Sequence, residues 1–209
     1  MKRIEFFFDF VSPFAYLAFE RLPQALEGCS YAVEYRPVLF AGLLKHWGQK
    51  GPAEMESKRA WTFRHTHWMA VQQGVPMHTP AEHPFNPLAL LRLAHACGPN
   101  RRVVEAIFHH VWRGDGVDAN AAARLADLTA RLAPASDPAG EEAKLALRSA
   151  TESALALGVF GVPSYLCDGR LLWGLDALPM LRALLKGDPW FDGPAWEAEG
   201  RPRQGVVRR

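Results

Sequence analysis

Hydrophobic and polar positions along the chain follow two periods. Residues Arg3 to Phe10 are almost continuously apolar, with Ile4, Phe6, Phe7 and Phe8 together, as in a strand buried on both faces. Ser12-Pro13 then supplies an N-cap and a first-turn proline, and Phe14, Leu17, Ala18, Leu22, Ala25 and Leu26 recur at helical spacing until Gly28. Tyr31 to Phe40 alternates like a second strand, so the chain opens with a βαβ unit and a parallel strand pair. A helical block follows, predicted at Ala53–Gln73, Asn86–Cys97, Arg101–Arg113, Asp118–Leu132 and Asp137–Leu157. In the last two, Asp118 is the expected cap, and Asp137 precedes a first-turn Pro138. Strand character returns from Val159 to Cys167, turns at Asp168-Gly169 and runs back through Arg170–Trp173. A last helix is expected over Ala177–Leu185.

This order, β-α-β, helices, then β-β-α, is an α/β thioredoxin-like fold with an all-helical insertion between its two halves. Residues 1–40 and 158–187 would form the thioredoxin-like domain, 41–157 the insertion and 188–209 a tail. Topology of this kind gives a fold and no function.

Composition narrows the class. The 209 residues are 49% hydrophobic and 22% charged, which excludes fibrous and disordered chains. No apolar run is long enough for a membrane span, and Asp9, Ser12 and Pro13 interrupt the first apolar stretch where a signal peptide would continue. A cytoplasmic location with no membrane partner is expected. Residues 200–209 hold four arginines and no acid, so the net charge of +2 leaves −2 on the rest of the chain. The tail is expected to be solvated, with no nucleic-acid partner, since its arginines lack aromatic neighbours. Cys29, Cys97 and Cys167 are scattered, without metal or disulfide spacing. His65 and His67 lie about 200° apart on a helix and share no metal. Trp61, Phe63, Trp68 and Met69 read as helix-bundle core.

Candidate chemistry begins at Ser12. A helix N-terminus at the carboxyl end of a strand presents free N–H groups and about half a positive charge, which favours an anion or an ionising thiol. Here the position holds serine, and without a thiol there is no disulfide exchange. Ser12 alone could be a simple cap. Val162-Pro163 opens a strand, where proline removes a ladder donor, and in this fold that loop faces the first helix. The residue before such a proline can pair with an extended peptide. Asp176 suits both an ammonium ligand and a helix cap.

These residues carry a resemblance. Phe8-Asp9-Phe10-Val11-Ser12-Pro13-Phe14-Ala15-Tyr16-Leu17, Phe160-Gly161-Val162-Pro163 and Trp173-Gly174-Leu175-Asp176 resemble the 2-hydroxychromene-2-carboxylate isomerases. That family is related to the kappa-class glutathione transferases among disulfide-oxidase-like thioredoxin folds. Gly51-Pro52, Lys58-Arg59 and His83-Pro84-Phe85-Asn86-Pro87 match its helical region, and the likeness spans about residues 3–186.

The resemblance implies a glutathione-dependent isomerase, a homodimer with a small aromatic substrate. It would interconvert a cyclic hemiketal acid and its open-chain trans isomer, with the glutathione thiolate adding to the conjugated system and leaving. Ser12 would be the catalytic residue at the glutathione sulfur, and Val162-Pro163 would meet the cysteinyl backbone. Trp173, Gly174, Leu175 and Asp176 would hold the γ-glutamyl end. Lys45 and Asn86 are the substrate-binding candidates. An asparagine that family members place after the Gly-Pro is replaced by Ala53 or Glu54. A kappa-like transferase and a non-catalytic thioredoxin-fold protein that binds thiols or peptides are the alternatives.

Overall fold

The structure, a computed structural model, describes residues 1–201 and 205. Four strands, β1 (Lys2–Phe8), β2 (Tyr31–Pro37), β3 (Ser164–Cys167) and β4 (Arg170–Trp173), make one sheet of order β2-β1-β3-β4. β1 runs parallel to β2, with Phe6 opposite Tyr35, and antiparallel to β3, with Phe6 opposite Tyr165. As its apolar run predicts, β1 is central and buried on both faces. Phe6 and Phe8 enter the main core, while Phe7 packs with Val38, Leu43, Val159 and Val162 on the other side. The β3–β4 hairpin turns on Asp168 (φ 49°) and Gly169 (φ 74°), two left-handed residues that match the twist of the strands. This is the thioredoxin-like arrangement.

The helix α1 (Pro13–Ala25) joins β1 to β2. Between β2 and β3 lie α2 (Phe40–His46), α3 (Glu56–Gln72), α4 (Leu88–Ala96), α5 (Arg101–Trp112), α6 (Ala122–Leu132) and α7 (Glu141–Ala156). After the hairpin come α8 (Leu178–Leu185) and α9 (Pro194–Glu199).

Several boundaries depart from the sequence pattern for local reasons. β2 ends at Pro37, and Phe40 opens α2 instead of extending the strand. The Leu39 N–H donates to the Thr151 hydroxyl and the Phe40 N–H to the Asp9 carboxylate, drawing the chain out of the sheet. Pro52–Glu54 is a separate 3-10 turn before α3. Asp118 and Asp137 do not cap α6 and α7. Their carboxylates accept the N–H groups of Asn120 and Ala139, closing Asx turns a few residues upstream. Residues Leu175–Ala177 likewise form a 3-10 turn, and the Asp176 side chain caps neither it nor α8.

Two larger corrections follow. Trp61 and Trp68 are not core, being 66% and 60% exposed on α3. The start of the tail is ordered: Phe191 is buried, Arg170 on β4 donates to its carbonyl and pairs with Asp192, and α9 follows. Arg203, Arg208 and Arg209 lie outside the described residues. No described helix is long and apolar enough to cross a membrane.

Candidate active site

The β1–α1 loop lines the principal cavity and is anchored by side chains and backbone from distant elements. Ser12 caps α1 with φ −88° and ψ 115°, its hydroxyl accepting the Ala15 N–H at 3.2 Å, and Pro13 takes the first turn. Each of the three residues before it is tied down by a distant element. The Asp9 carboxylate accepts the N–H groups of Val11 (3.1 Å) and Phe40 (2.9 Å), linking the loop to α2. Trp112 of α5 donates its indole N–H to the Phe10 carbonyl at 2.9 Å. His83 meets the Val11 carbonyl at 2.7 Å. A carbonyl only accepts, so His83 Nε2 carries the proton. Its Nδ1 is buried without a partner.

Burial dominates the electrostatics of Asp9. It is fully enclosed, and loss of water raises its pKa from 3.8 to about 7, against the N–H groups of Phe40, Val11 and Phe10, which lower it. The same cause depresses the pKa of His83, so the neutral imidazole implied by its hydrogen bond is the favoured form.

Facing the loop is the peptide Val162–Pro163, which is cis. The Val162 side chain is held in the second core cluster. Its backbone N–H and carbonyl take no hydrogen bond among the described residues, which leaves an edge open to a ligand. The Pro163 carbonyl accepts the Gly174 N–H at 2.9 Å, bringing the Trp173–Asp176 segment alongside. Trp173 packs on Phe160 with ring centroids 5.1 Å apart. Gly161 permits that packing, because a Cβ there would lie 2.6 Å from the indole nitrogen. Gly174, at φ 104°, is required twice over: few side chains adopt that angle, and a Cβ would collide with the Asp176 carboxylate folded back upon it. Asp176 is exposed and forms no ion pair among the described residues.

Both walls open on one cavity of about 1120 Å³. It brings together Ser12, Val162, Pro163, Trp173, Gly174, Leu175 and Asp176, all named from sequence. It does not include Lys45 or Asn86. Lys45 follows the buried pair Leu43–Leu44 on α2 and faces solvent. The Asn86 side chain is turned to the Leu88 N–H at the start of α4. The freely exposed cations on the cavity wall are instead Lys50 and Lys58. Gly51 to Glu54, where the family asparagine is missing, also lines it, with the Glu54 carboxylate turned back onto the Gly51 N–H at 2.8 Å.

Sequence reasoning passed over Asp9, His83 and His65, all on the cavity wall. For Asp9 a signal existed: a carboxylate inside the apolar run Phe6–Val11 is costly unless it serves the backbone around it. The three cysteines are elsewhere, and burial raises the thiol pKa of Cys97 and Cys167. Among the described residues no group of His, Cys, Asp or Glu is arranged to hold a metal.

Comparison with known proteins places this geometry. The model of the DSBA-like thioredoxin domain matches residues 3–186. The chain belongs to that family. Among its DSBA-like relatives, a 2-hydroxychromene-2-carboxylate isomerase of Sphingobium xenophagum is 30% identical over 196 residues, covering 88% of this chain and 98% of that one. Glutathione S-transferase kappa 1 of Rattus norvegicus is 26% identical over 213 residues, covering 91% and 93%. A solved 2-hydroxychromene-2-carboxylate isomerase superposes with a TM-score of 0.77 at 22% identity, covering 96% of this chain and all of that one, a likeness of fold. The family resemblance seen in the motifs therefore holds along the chain. At the N-cap of α1 this chain has serine, and its three cysteines lie elsewhere.

Proposed function

We propose that this chain is a glutathione-dependent isomerase acting on 2-hydroxychromene-2-carboxylate or a related intermediate of aromatic catabolism. The observation that carries the reading is the convergence on one cavity of a thiol-free α1 N-terminus, the open backbone edge at Val162 and the unpaired carboxylate of Asp176. The 30% identical isomerase points the same way.

The residues present fit a small peptide thiol. Ser12 accepts from the Ala15 N–H and keeps its own proton to donate to a sulfur anion. The positive end of α1 adds to that effect, which lowers a thiol pKa from its ordinary value of about 8.5. Val162 offers an N–H and a carbonyl to a cysteinyl backbone, and Asp176 offers a carboxylate to the γ-glutamyl ammonium. When bound, glutathione supplies a nucleophilic sulfur that adds to the conjugated system and leaves after rotation about the former double bond. The remaining wall, with Phe14, Met55, Met69 and Phe85, provides an apolar compartment for an aromatic ring. Lys50 and Lys58 stand where a substrate carboxylate can be met.

The test is interconversion of the chromene acid and its open-chain isomer by the purified protein, with and without glutathione. Glutathione-dependent turnover, slowed about 10²-fold in Ser12→Ala, is expected. Full-rate isomerisation without glutathione contradicts the reading. Accumulation of a stable conjugate in place of the trans isomer favours a kappa-like transferase, the activity named for the 26% identical relative.

A further inference from the structure

We infer that His65 is the acid–base residue of this site, moving the proton that opens and closes the hemiketal ring of the substrate. The inference rests on the isomerase reading above and extends it to a residue that reading does not use. Of the eight histidines, five are committed. The rings of His83, His95, His109 and His110 bond protein oxygens, and His78 pairs with Asp115. His46 and His67 are exposed and away from the cavity. His65 alone combines a place on the cavity wall with two ring nitrogens free of hydrogen bonds among the described residues.

Its position is held by aromatic packing. The imidazole stacks on Trp61, with centroids 5.6 Å apart and planes 23° from parallel. It meets the Phe14 ring edge-on at 6.2 Å. Phe14 lies two residues beyond Ser12 in the first turn of α1, so the imidazole packs on a side chain of that turn and lines the same cavity as Ser12. Asp176, Lys50 and Lys58 are assigned above to the ligands' charged ends, and the other rivals on the wall are occupied. Asp9 has both oxygens on backbone N–H groups, Glu54 is turned to Gly51, and His83 holds Val11 with a second nitrogen that is buried.

The step balances without a co-reactant. His65 takes the proton of the hemiketal hydroxyl as that oxygen becomes the ketone. The ring C–O bond breaks with its electron pair on the phenolic oxygen, and the imidazolium returns the proton there. Closure is the reverse. No electrons are exchanged, and a residue able to donate and accept in turn is what such a step needs.

The experiment compares wild type, His65→Gln and His65→Ala on the chromene acid at saturating glutathione. Glutathione affinity is measured by calorimetry, and the His65 ring signals are followed by NMR as the open-chain acid is added. The expected result is a kcat lower by about 10²-fold in both variants, unchanged glutathione affinity and partial rescue of His65→Ala by added imidazole. The ring signals shift with the aromatic acid and not with glutathione alone. An active wild type matched by His65→Gln, or a loss confined to glutathione affinity, overturns the role of His65 alone. A wild type inert on the chromene acid overturns the isomerase reading and this inference with it.

Discussion

At Asp9 the fold encloses a carboxyl where water does not reach, and its backbone N–H partners offset only part of the cost of a charge there. The consequence for stability has a definite sign. The folded pKa, about 7, lies above the unfolded value of 3.8, so the native state holds a proton that the unfolded chain releases. This contribution is complete below pH ~4 and is lost as pH rises to about 7, by up to about 4 kcal/mol at 1.36 kcal/mol per pKa unit. Asp9→Asn flattens that slope, which urea unfolding at pH 5 and pH 8 will show; equal slopes in the two proteins would contradict the assignment. A second single-residue prediction concerns Gly161. Gly161→Ala pushes the Trp173 indole off Phe160, and calorimetry is expected to show glutathione affinity about tenfold weaker with folding nearly unchanged. Asp9 shows why some of the site is hidden at this scale. Its sequence position signals a break, but its Phe40 partner is 31 residues away and belongs to a helix that the strand-like pattern of Tyr31–Phe40 conceals.

Elements were legible where one local signal acts without a competitor. Ser12-Pro13 starts α1 and Asp168-Gly169 turns the hairpin because backbone geometry leaves those residues few other uses. Asp118 and Asp137 show the opposite case, since an aspartate satisfies an Asx turn as well as a helix cap, and in both the turn wins. In α3 the two tryptophans are exposed while Thr62, Thr66 and Ala70 are buried, an inversion that apolar periodicity cannot anticipate. Between elements, Trp112 of α5 is one of the ties from the helical block to the site loop. It is fully buried, stacks on Tyr16 and holds the Phe10 carbonyl. Trp112→Phe keeps much of the apolar contact but leaves that carbonyl unpaired. Denaturant unfolding is expected to show a loss of about 1–3 kcal/mol. The glutathione Kd should rise in parallel, because the freed carbonyl lies two residues before Ser12; a change in stability with no change in Kd would mean that the loop holds its shape without α5.

On the scale of the molecule, the main core cluster reaches from Ile4 in β1 through the helical block to Phe191, and α2 packs its Leu43 with Phe7 of β1 in the second, so no helix of the block is packed independently of the sheet. The topology could be read from sequence because β-α-β and β-β-α halves flank a purely helical stretch. The docking of residues 188–199 could not, because Pro189, Gly193 and Pro194 resemble a linker and the Arg170 contacts with Phe191 and Asp192 are long-range. No described residue beyond Arg182 lines the cavity. Truncation after Gly187 is therefore expected to cost about 2–4 kcal/mol through the lost burial of Phe191, seen as a lower Tm, with glutathione affinity retained. The cavity itself depends on the whole assembly, with α1, the Val162 loop and the Trp173–Asp176 segment each supplying one part of its wall, and in the proposed function it receives a thiol that the chain lacks at that position. The most direct measurement is the absorbance titration of glutathione bound to the protein, following thiolate formation against pH. The account predicts a pKa about two units below the ordinary thiol value of ~8.5, moving back toward it in Ser12→Ala. A bound thiol that ionises like free glutathione in both proteins would contradict it.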